Sequence, residues 1–299
     1  MPLNGLQYVP REDLLTPTEI AEVVKVAVSA GFRKFRLTGG EPTLRPEIVE
    51  IVERIGRIEG VGDLAMTTNG VLLPELARPL AAAGLKRVNI HLDTLHPERL
   101  ERVMRWGKLD DIQKGIEAAE QAGLLPIKLN AVIARGYNDT DVPGLAALTI
   151  ERDWHCRFIE MMPFGADECA TVAREQYISN EEVRARIERE LGTLTPLPGL
   201  SSDEAVNYRL PKARGIVGFI SPVSAPYCGS CNRMRLTADG KFHLCLLNDD
   251  EMDIKRQLRE NGPEIVRTIL LKAVKQKPMG HRLHEGLFTQ NRSMFQIGG

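Results

Sequence analysis

The first half of the chain alternates between helical and extended patterns of hydrophobic residues. Thr16-Pro17-Thr18-Glu19 is a capping box with proline at the first helical position, and apolar residues at helical spacing follow it up to Gly31. The same patterns predict further helices at 46–58, 76–83, 112–122 and 142–149, and strands at 34–38, 64–68, 87–93, 127–133 and 156–160. Alternating strands and helices predict an α/β fold with a parallel sheet or barrel.

Three of these strands break the rule that strands of parallel sheets are apolar on both faces. Their alternating polar members are Arg36 and Thr38, then Asn89, His91 and Asp93, then Lys128 and Asn130. Because successive side chains point to opposite faces, one face of each strand is polar. The repetition favours a barrel lumen that admits a ligand, with chemistry at the carboxyl ends of the strands. The alternative is a scatter of polar residues near loop mouths.

The second half of the chain is less regular. One helix is predicted at 180–191 and a turn-rich stretch at 196–202, and no clear periodicity is found beyond residue 278. We interpret 162–218 as a connection into a smaller C-terminal lobe. The final Gly298-Gly299 would ordinarily be a frayed end.

Composition narrows the function classes. The chain has 299 residues, of which 43% are hydrophobic and 26% charged, enough for one barrel-sized domain or two smaller ones. A net charge of -1 and a pI near 6.6 argue against a nucleic-acid surface, so phosphate recognition should be local. We find neither a membrane-spanning apolar run nor a signal-like N-terminus. Five cysteines, an odd number, suit a reducing compartment, and we predict a cytoplasmic protein.

Three cysteines are the strongest candidates for chemistry. Cys228 and Cys231 form a CxxC pair, and Cys245 follows on a predicted strand. A CxxC turn places two thiolates side by side, and a later strand can return the third to the same soft metal centre. The spacing leaves two alternatives: a structural zinc site with His243 as fourth ligand, or an iron–sulfur cluster held by three thiolates.

The residues after the CxxC pair favour the cluster. Arg233 and Arg235 alternate with Met234, so in an extended segment both guanidinium groups lie on one face. Two such groups beside the metal are placed to clamp a phosphate, which a purely structural zinc site does not need.

Several motifs together identify a family. They are Arg36-Leu-Thr-Gly-Gly-Glu-Pro42, Met66-Thr-Thr-Asn-Gly70, Arg157-Phe-Ile-Glu-Met-Met-Pro163, Cys228-Gly-Ser-Cys-Asn-Arg-Met-Arg235 and the terminal Gly298-Gly299. Over essentially its whole length the chain resembles the GTP 3′,8-cyclases, radical S-adenosylmethionine enzymes that begin molybdenum cofactor biosynthesis. Gly-Gly-Glu-Pro alone would indicate only the radical S-adenosylmethionine superfamily; the second cysteine set with its arginines and the Gly-Gly end are more specific.

The resemblance implies an incomplete TIM-like barrel with a smaller C-terminal iron–sulfur lobe, divided as 1–165 and 166–299. It also implies a set of site residues. A [4Fe–4S] auxiliary cluster is held by Cys228, Cys231 and Cys245; GTP is bound by Arg36, Thr67, Lys128, Arg233, Met234 and Arg235; S-adenosylmethionine is bordered by Gly40, His91 and Met162; and Arg157, Gly298 and Gly299 are catalytic. The glycine tail is expected to reach into the active site.

Two departures from the family qualify these expectations. The family's first cluster is carried by CxxxCxxC just ahead of a Met-Pro dipeptide, and this chain begins at Met1-Pro2. A start site assigned too late or a truncated chain is the simplest explanation, with true loss of activity as the alternative; the second [4Fe–4S] cluster is expected only in a full-length chain. His91 stands where the family usually has serine, and the imidazole either crowds S-adenosylmethionine, supplies a different hydrogen bond, or is merely tolerated.

By the same resemblance, a 5′-deoxyadenosyl radical removes the C3′ hydrogen of GTP and the carbon radical attacks C8. The product, 3′,8-cyclo-7,8-dihydro-GTP, would pass to cyclic pyranopterin monophosphate synthase. Whether the chain forms a homodimer is left open. Two rival hypotheses remain: another radical S-adenosylmethionine maturase with an auxiliary cluster, and a truncated, non-catalytic nucleotide-binding barrel with structural zinc.

Overall fold

The computed structural model describes residues 9–104, 107–165, 168–199 and 203–298. The helices are α1 (Pro17–Ser29), α2 (Ile48–Gly56), α3 (Leu73–Ala82), α4 (Pro97–Met104), α5 (Leu109–Gln121), α6 (Val142–Glu151), α7 (Glu168–Glu175), α8 (Asn180–Leu191), α9 (Lys255–Asn261), α10 (Pro263–Gln276) and α11 (Met294–Ile297). The strands are β1 (Lys34–Leu37), β2 (Asp63–Thr68), β3 (Arg87–His91), β4 (Lys128–Ile133), β5 (His155–Glu160), β6 (Thr195–Pro196), β7 (Val206–Arg209), β8 (Ile216–Ile220), β9 (Arg235–Leu236), β10 (Lys241–His243) and β11 (Glu251–Asp253). The predicted alternation up to β5 is confirmed, with boundaries moved by a few residues.

Helix α1 shows why these local predictions succeed. The Thr16 hydroxyl accepts a hydrogen bond from the Glu19 amide at 3.2 Å, and the Glu19 carboxylate accepts one from the Thr16 amide at 2.8 Å. This reciprocal pair satisfies backbone donors that a helix start leaves open, and Pro17 has no such donor to lose. All of these groups lie within four consecutive residues, so the sequence alone contains the interaction.

The chain divides into two compact units. The terminal unit combines Met1–Thr68, Glu75–Arg87 and Arg233–Gly299, and the central unit combines Asn69–Pro74 and Val88–Asn232. The predicted division at residue 165 follows the chain in order, whereas these units interleave along it. The two-part division therefore stays a prediction.

The central unit is built on a largely parallel sheet. Strands β3, β4, β5 and β8 pair in parallel, and β7 and β6 extend the sheet antiparallel. The rings of Phe158 and Phe219 stack at 5.9 Å between centroids on the buried face of β5 and β8. Our description of 162–218 as irregular was wrong for β7, β8 and α7. Strand β8 was missed because it is short and its parallel partner, β5, lies far earlier in the chain.

The terminal unit contains the parallel pair β1 and β2 and a small antiparallel sheet in the order β11-β10-β9. Its core joins α1 to the C-terminal segments through buried apolar side chains: Val23, Ala27, Phe242, Leu244, Ile254, Leu258, Val266, Leu270 and Ala273. Helix α1 is therefore partnered by residues from the opposite end of the chain. No helix in the described ranges is both long and apolar enough to cross a membrane.

Candidate functional site

In the terminal unit, the polar face predicted for the first strand is present. Arg36 is exposed on β1, while Phe35 and Leu37 are half-buried. Arg36 pairs in register with Ala65 of β2, and Thr67 lies two residues further along β2, on the same face as Ala65. The strands thus place Arg36 and Thr67 on one face; their binding of GTP, which the family resemblance implies, stays a prediction.

The Gly-Gly-Glu-Pro segment after β1 is organised by the carboxylate of Glu41. One oxygen of Glu41 accepts hydrogen bonds from the amide of Thr43 at 3.0 Å, from its hydroxyl at 2.6 Å, and from the hydroxyl of Thr68 at 2.8 Å. A carboxylate that accepts several donors holds its neighbours in one arrangement. Glu41 therefore joins the loop after β1 to the end of β2, and Gly40 remains exposed within that loop.

The C-terminal tail packs against the end of β1. Gly298 is buried with φ +81°, and a Cβ built on it would lie 2.3 Å from Cγ2 of Thr38. Nε of Arg235 donates a hydrogen bond to the carbonyl oxygen of Gly298 at 3.4 Å. A Cβ built on Gly40 would lie 3.7 Å from Cβ of Phe295 in α11. The tail is therefore packed, and the ordinary expectation of a frayed end is wrong for Gly298; Gly299 lies outside the described residues.

The paired arginines have the predicted alternation. Met234 and Leu236 pack against the apolar core of the terminal unit, so Arg233 and Arg235 project from the other side of the segment. Both arginines are only partly exposed. This arrangement leaves the two guanidinium groups together on one face, whereas Met234 contributes to packing.

In the central unit, β4 and β5 present a row of cationic and amide groups. Lys128 and Asn130 are partly exposed on β4 and alternate with buried residues. Arg157 on β5 pairs in register with Asn130, and its Nε donates to Oδ1 of Asn130 at 2.9 Å. Arg157 is buried and forms an ion pair with Glu204 at 3.1 Å.

Gly218 on β8 leaves the space that Arg157 uses. A Cβ built on Gly218 would lie 2.9 Å from Oδ1 of Asn207 and 3.2 Å from Cγ of Arg157. The absence of a side chain therefore lets Arg157 extend across β8 toward Glu204. Neither Gly218 nor Glu204 was predicted from the sequence, because both belong to the region whose strands its pattern failed to reveal.

The electrostatics of this row are positive. Burial, followed by the charges of Lys128 and Arg157, lowers the pKa of His155 to about 4. His155 pairs in register with Lys128. His155 is therefore neutral near pH 7, and Lys128 and Arg157 carry the positive charges of this row.

His91 is paired with an anchored carboxylate. Its Nε2 lies 2.6 Å from Oδ2 of Asp93, and Oδ1 of Asp93 accepts a hydrogen bond from the amide of Val132 at 2.8 Å. Asp93 is buried, while about a third of the His91 side chain (35%) is exposed. The imidazole is thus oriented at the end of β3 and is available to a ligand at this position.

The three candidate cysteine ligands are divided between the two units. Cys228 and Cys231 lie on one 3₁₀ turn of the central unit, where the Cys231 amide donates to the Cys228 carbonyl at 3.1 Å; Cys245 follows β10 in the terminal unit. None of the three is in a disulfide bond, and all three are half-buried. Within the part of the chain that the structure describes, no group of three or more His, Cys, Asp or Glu side chains could hold a metal ion. The three-cysteine ligand set stays a prediction, although free thiols are the donors that an iron–sulfur cluster requires.

Glu160 supports the loop that precedes the CxxC pair, and the sequence did not single it out. Its buried carboxylate accepts hydrogen bonds from the amides of Val223 at 3.0 Å and Ser224 at 2.9 Å, and from the Asn180 amide at 3.0 Å. An acidic residue at the end of a predicted strand, directly after Phe158 and Ile159, was the available signal. Met162, two residues beyond Glu160, is half-buried.

Comparison with known families places the chain among characterised protein families. Residues 5–149 match the model of the Radical SAM superfamily, and residues 154–283 match Molybdenum Cofactor Synthesis C. Together these two families cover most of the chain. They confirm the predicted fold class, an α/β radical S-adenosylmethionine fold of the TIM-like type, and the link to molybdenum cofactor biosynthesis.

Curated relatives match the chain over its full length. The GTP 3′,8-cyclase of Moorella thermoacetica is 44% identical, that of Thermodesulfovibrio yellowstonii 42% and that of Alkaliphilus metalliredigens 40%. Each alignment covers 100% of this chain and 92% of the relative. The chain belongs to the GTP 3′,8-cyclase family of the radical S-adenosylmethionine superfamily.

Proposed function

We propose that the chain carries the substrate-binding and tail elements of a GTP 3′,8-cyclase, which converts GTP to 3′,8-cyclo-7,8-dihydro-GTP. The observation that carries the proposal is the packed tail: Gly298 lies against Thr38 and accepts a hydrogen bond from Arg235. An ordered glycine tail beside the strand that ends in Gly-Gly-Glu-Pro is what the family resemblance predicted. Neither rival hypothesis predicts it.

Most of the proposed GTP ligands are cationic or polar residues that lie on strands or directly beside them. In the terminal unit they are Arg36, Thr67, Arg233, Met234 and Arg235, and in the central unit Lys128. Lys128 is partly exposed on β4, so its ammonium group is accessible to an anion. Guanidinium groups bind phosphate oxygens through paired hydrogen bonds, so we assign the triphosphate to the arginines. For Met234, whose side chain packs against the core, the proposed contact is through its backbone.

We propose Cys228, Cys231 and Cys245 as ligands of an auxiliary [4Fe–4S] cluster. Their donor chemistry fits, since all three are cysteines outside disulfide bonds and thiolates are the ligands of iron–sulfur clusters. His243 is buried, with Nδ1 3.3 Å from Glu251 and no hydrogen-bond partner at Nε2 among the described residues, so its geometry does not exclude zinc and metal analysis must distinguish zinc from the cluster. Glu160 holds the loop ahead of Cys228 and so limits how far the CxxC turn can move.

Family membership implies a [4Fe–4S] cluster and S-adenosylmethionine, which supply a 5′-deoxyadenosyl radical when bound. We propose that Gly40, His91 and Met162 border S-adenosylmethionine. Gly40 is exposed in a loop that Glu41 holds in place, and His91 is oriented by Asp93. A fixed imidazole can donate or accept one hydrogen bond to the bound molecule, which favours a contact over mere tolerance.

Arg157 and the tail are proposed to act on the reacting substrate. Arg157 is held by Asn130 and Glu204, so its charge has a defined position. Gly298, and Gly299 beyond it, are proposed to complete the active site and help exclude water from a radical. Cyclic pyranopterin monophosphate synthase is the proposed consumer of the product, and the cytoplasm the proposed location, because an odd number of cysteines suits reducing conditions.

The test is product analysis. A protein in which a CxxxCxxC segment precedes residue 1 is reconstituted anaerobically with iron and sulfide and supplied with GTP, S-adenosylmethionine and a reductant. We expect 5′-deoxyadenosine and a cyclised GTP product in equal amounts by mass spectrometry. A protein that binds GTP and forms neither product would support the nucleotide-binding scaffold instead. Formation of 5′-deoxyadenosine with a peptide but not with GTP would support a maturase.

A further inference from the structure

The C-terminal tail is tied to the small antiparallel sheet by a buried ion cluster. Arg292 is buried, and its Nε and Nη2 donate to the two carboxylate oxygens of Glu251 at 2.8 and 3.0 Å. The same Nη2 donates to Asp239 at 2.8 Å. Lys241 lies 3.2 Å from Glu251. Arg292 is thus the cation that joins two carboxylates of the sheet to the tail.

The charges in this cluster are maintained by one another. Burial raises the pKa of Glu251, but hydrogen bonds from Arg292 and Lys241 outweigh burial and hold the pKa below its usual range. Burial likewise raises the pKa of Asp239, and the hydrogen bond from Arg292 reverses the shift. Both carboxylates are therefore ionised near neutral pH. Removing Arg292 would leave two acidic groups in a largely buried place with Lys241 as their nearby lysine and His243 beside Glu251.

Contacts on either side of Arg292 place the tail in one register. The Thr289 hydroxyl lies 3.0 Å from the carbonyl oxygens of both Leu246 and Asn248. The carboxylate of Asp249 accepts a hydrogen bond from the backbone amide of Gln290 at 3.1 Å. Helix α11 then begins at Met294 and ends at Ile297, directly before Gly298. Only this short helix and Ser293 separate Arg292 from the glycine that meets Thr38. A shift of the anchored segment would be transmitted to Gly298 through the helix.

We infer that Arg292, held between Glu251 and Asp239, is a positioning residue that sets where Gly298 meets the end of β1. The inference rests on the proposed function, in which the tail completes the active site. Arginine suits this role because its planar fork binds one carboxylate with two nitrogens and a second carboxylate at the same time, whereas lysine offers a single point charge. The ion cluster therefore determines the geometry of the tail as well as the stability of the sheet.

The experiment compares Arg292→Met and Arg292→Lys with Arg282→Met. Arg282 forms an Arg–Glu pair in the same C-terminal segment, but that pair is exposed, so it is a matched control. Hydrogen exchange of the tail amides 294–298 and of the β10 amides is measured on the chain itself. Turnover and GTP affinity are measured on the reconstituted protein with the CxxxCxxC segment.

For Arg292→Met we expect faster exchange in the tail, unchanged exchange in β10, a kcat lowered by about tenfold or more, and a GTP Kd changed by less than about twofold. Arg292→Lys should recover part of the kcat, and Arg282→Met should match the unchanged protein. The double variant Arg292→Met with Glu251→Gln removes one unpaired charge. It should keep β10 protected while the tail remains loose.

Two outcomes would overturn the inference. In one, Arg292→Met keeps the tail amides protected and turns over normally. In the other, both Arg292→Met and the double variant lose β10 protection and GTP binding together, which would make Arg292 a residue of fold stability alone. Failure of the proposed function is separable from either outcome, because the unchanged protein would then form no cyclised product, while hydrogen exchange of the Arg292 variants would still report on the tail.

Discussion

The central and terminal units position their polar residues by different means. In the central unit, Lys128, Asn130 and Arg157 lie on neighbouring parallel strands, and strand alternation sets the face on which each side chain lies. In the terminal unit, Gly298 reaches Thr38 only because residues 289–297 are held by side chains from distant parts of the sequence. A strand-borne group is fixed by its own backbone, whereas the tail depends on a few long-range contacts. Single substitutions should therefore affect the two units differently.

The largest effect expected is at the cysteines. Cys228→Ala should prevent the auxiliary cluster from assembling, because a thiolate ligand is lost, and should abolish cyclised product. Iron and sulfide analysis with absorbance spectroscopy measures the loss. Cys156→Ala is the matched control: burial raises the pKa of this thiol to about 12, and its side chain belongs to the core. One tightly bound zinc per chain without iron–sulfur absorbance would contradict the assignment, and a change at His243 would then be expected to release it.

The tail glycine should come next. Gly298→Ala adds a methyl group 2.3 Å from Thr38 Cγ2 at a positive φ, so the tail must move away. We expect turnover to fall on the order of a hundredfold with near-normal GTP binding and Tm, since misplacement by about 1 Å has effects of that size. Gly286→Ala separates strain from contact, because Gly286 also has a positive φ but nothing lies near its Cβ position. If both variants turn over alike, the contact with Thr38 has no role.

A smaller effect is expected from the arginine pair. Arg235→Ala and Arg233→Ala should each weaken GTP binding by about 1.5–3 kcal/mol, the usual contribution of a hydrogen bond to a charged group. Guanosine binding should change little, because it lacks the phosphates. Isothermal titration with both ligands provides the comparison. Equal losses for GTP and guanosine would show that the substitutions damage the cluster or the fold.

The smallest expected effect is a pH dependence in the central unit. The pKa of His155 lies near its ordinary value of 6.5 in the unfolded chain and at about 4 in the folded one. Between these values the unfolded chain binds the extra proton, so stability falls as pH is lowered from about 6.5 to 4. We expect a contribution of about 1–2 kcal/mol after solvent screening. Urea unfolding at several pH values gives the free energy of unfolding as a function of pH. Between pH 6.5 and 4 this free energy should change less with pH for His155→Gln than for the unchanged protein. The same pH dependence in both proteins would contradict a lowered pKa of His155.

The sequence predicted the parts of the fold that depend on neighbours in the chain. The capping box of α1, the strands up to β5 and the polar alternation on β4 are all local patterns, and all are present. Thr67, in contrast, was named only by the family resemblance. Alternation within a strand is visible in any single sequence.

Other features required contacts that one sequence does not display. Strand β8 is recognised by its pairing with β5, and Arg157 has its orientation because Gly218 and Glu204 lie beside it. The packed tail depends on Arg292 meeting Glu251 across 41 residues. Periodicity cannot reveal such partners, because the residues between them follow no regular pattern. Only the family resemblance pointed to the tail at all.

The central claim is that the chain positions the ribose of GTP for removal of its C3′ hydrogen. The most direct measurement uses GTP carrying deuterium at C3′ with the reconstituted protein that includes a CxxxCxxC segment. If the C3′ hydrogen is transferred, we expect one deuterium in the 5′-deoxyadenosine and none at C3′ of the cyclised product. Unlabelled 5′-deoxyadenosine formed in the presence of this substrate would contradict it.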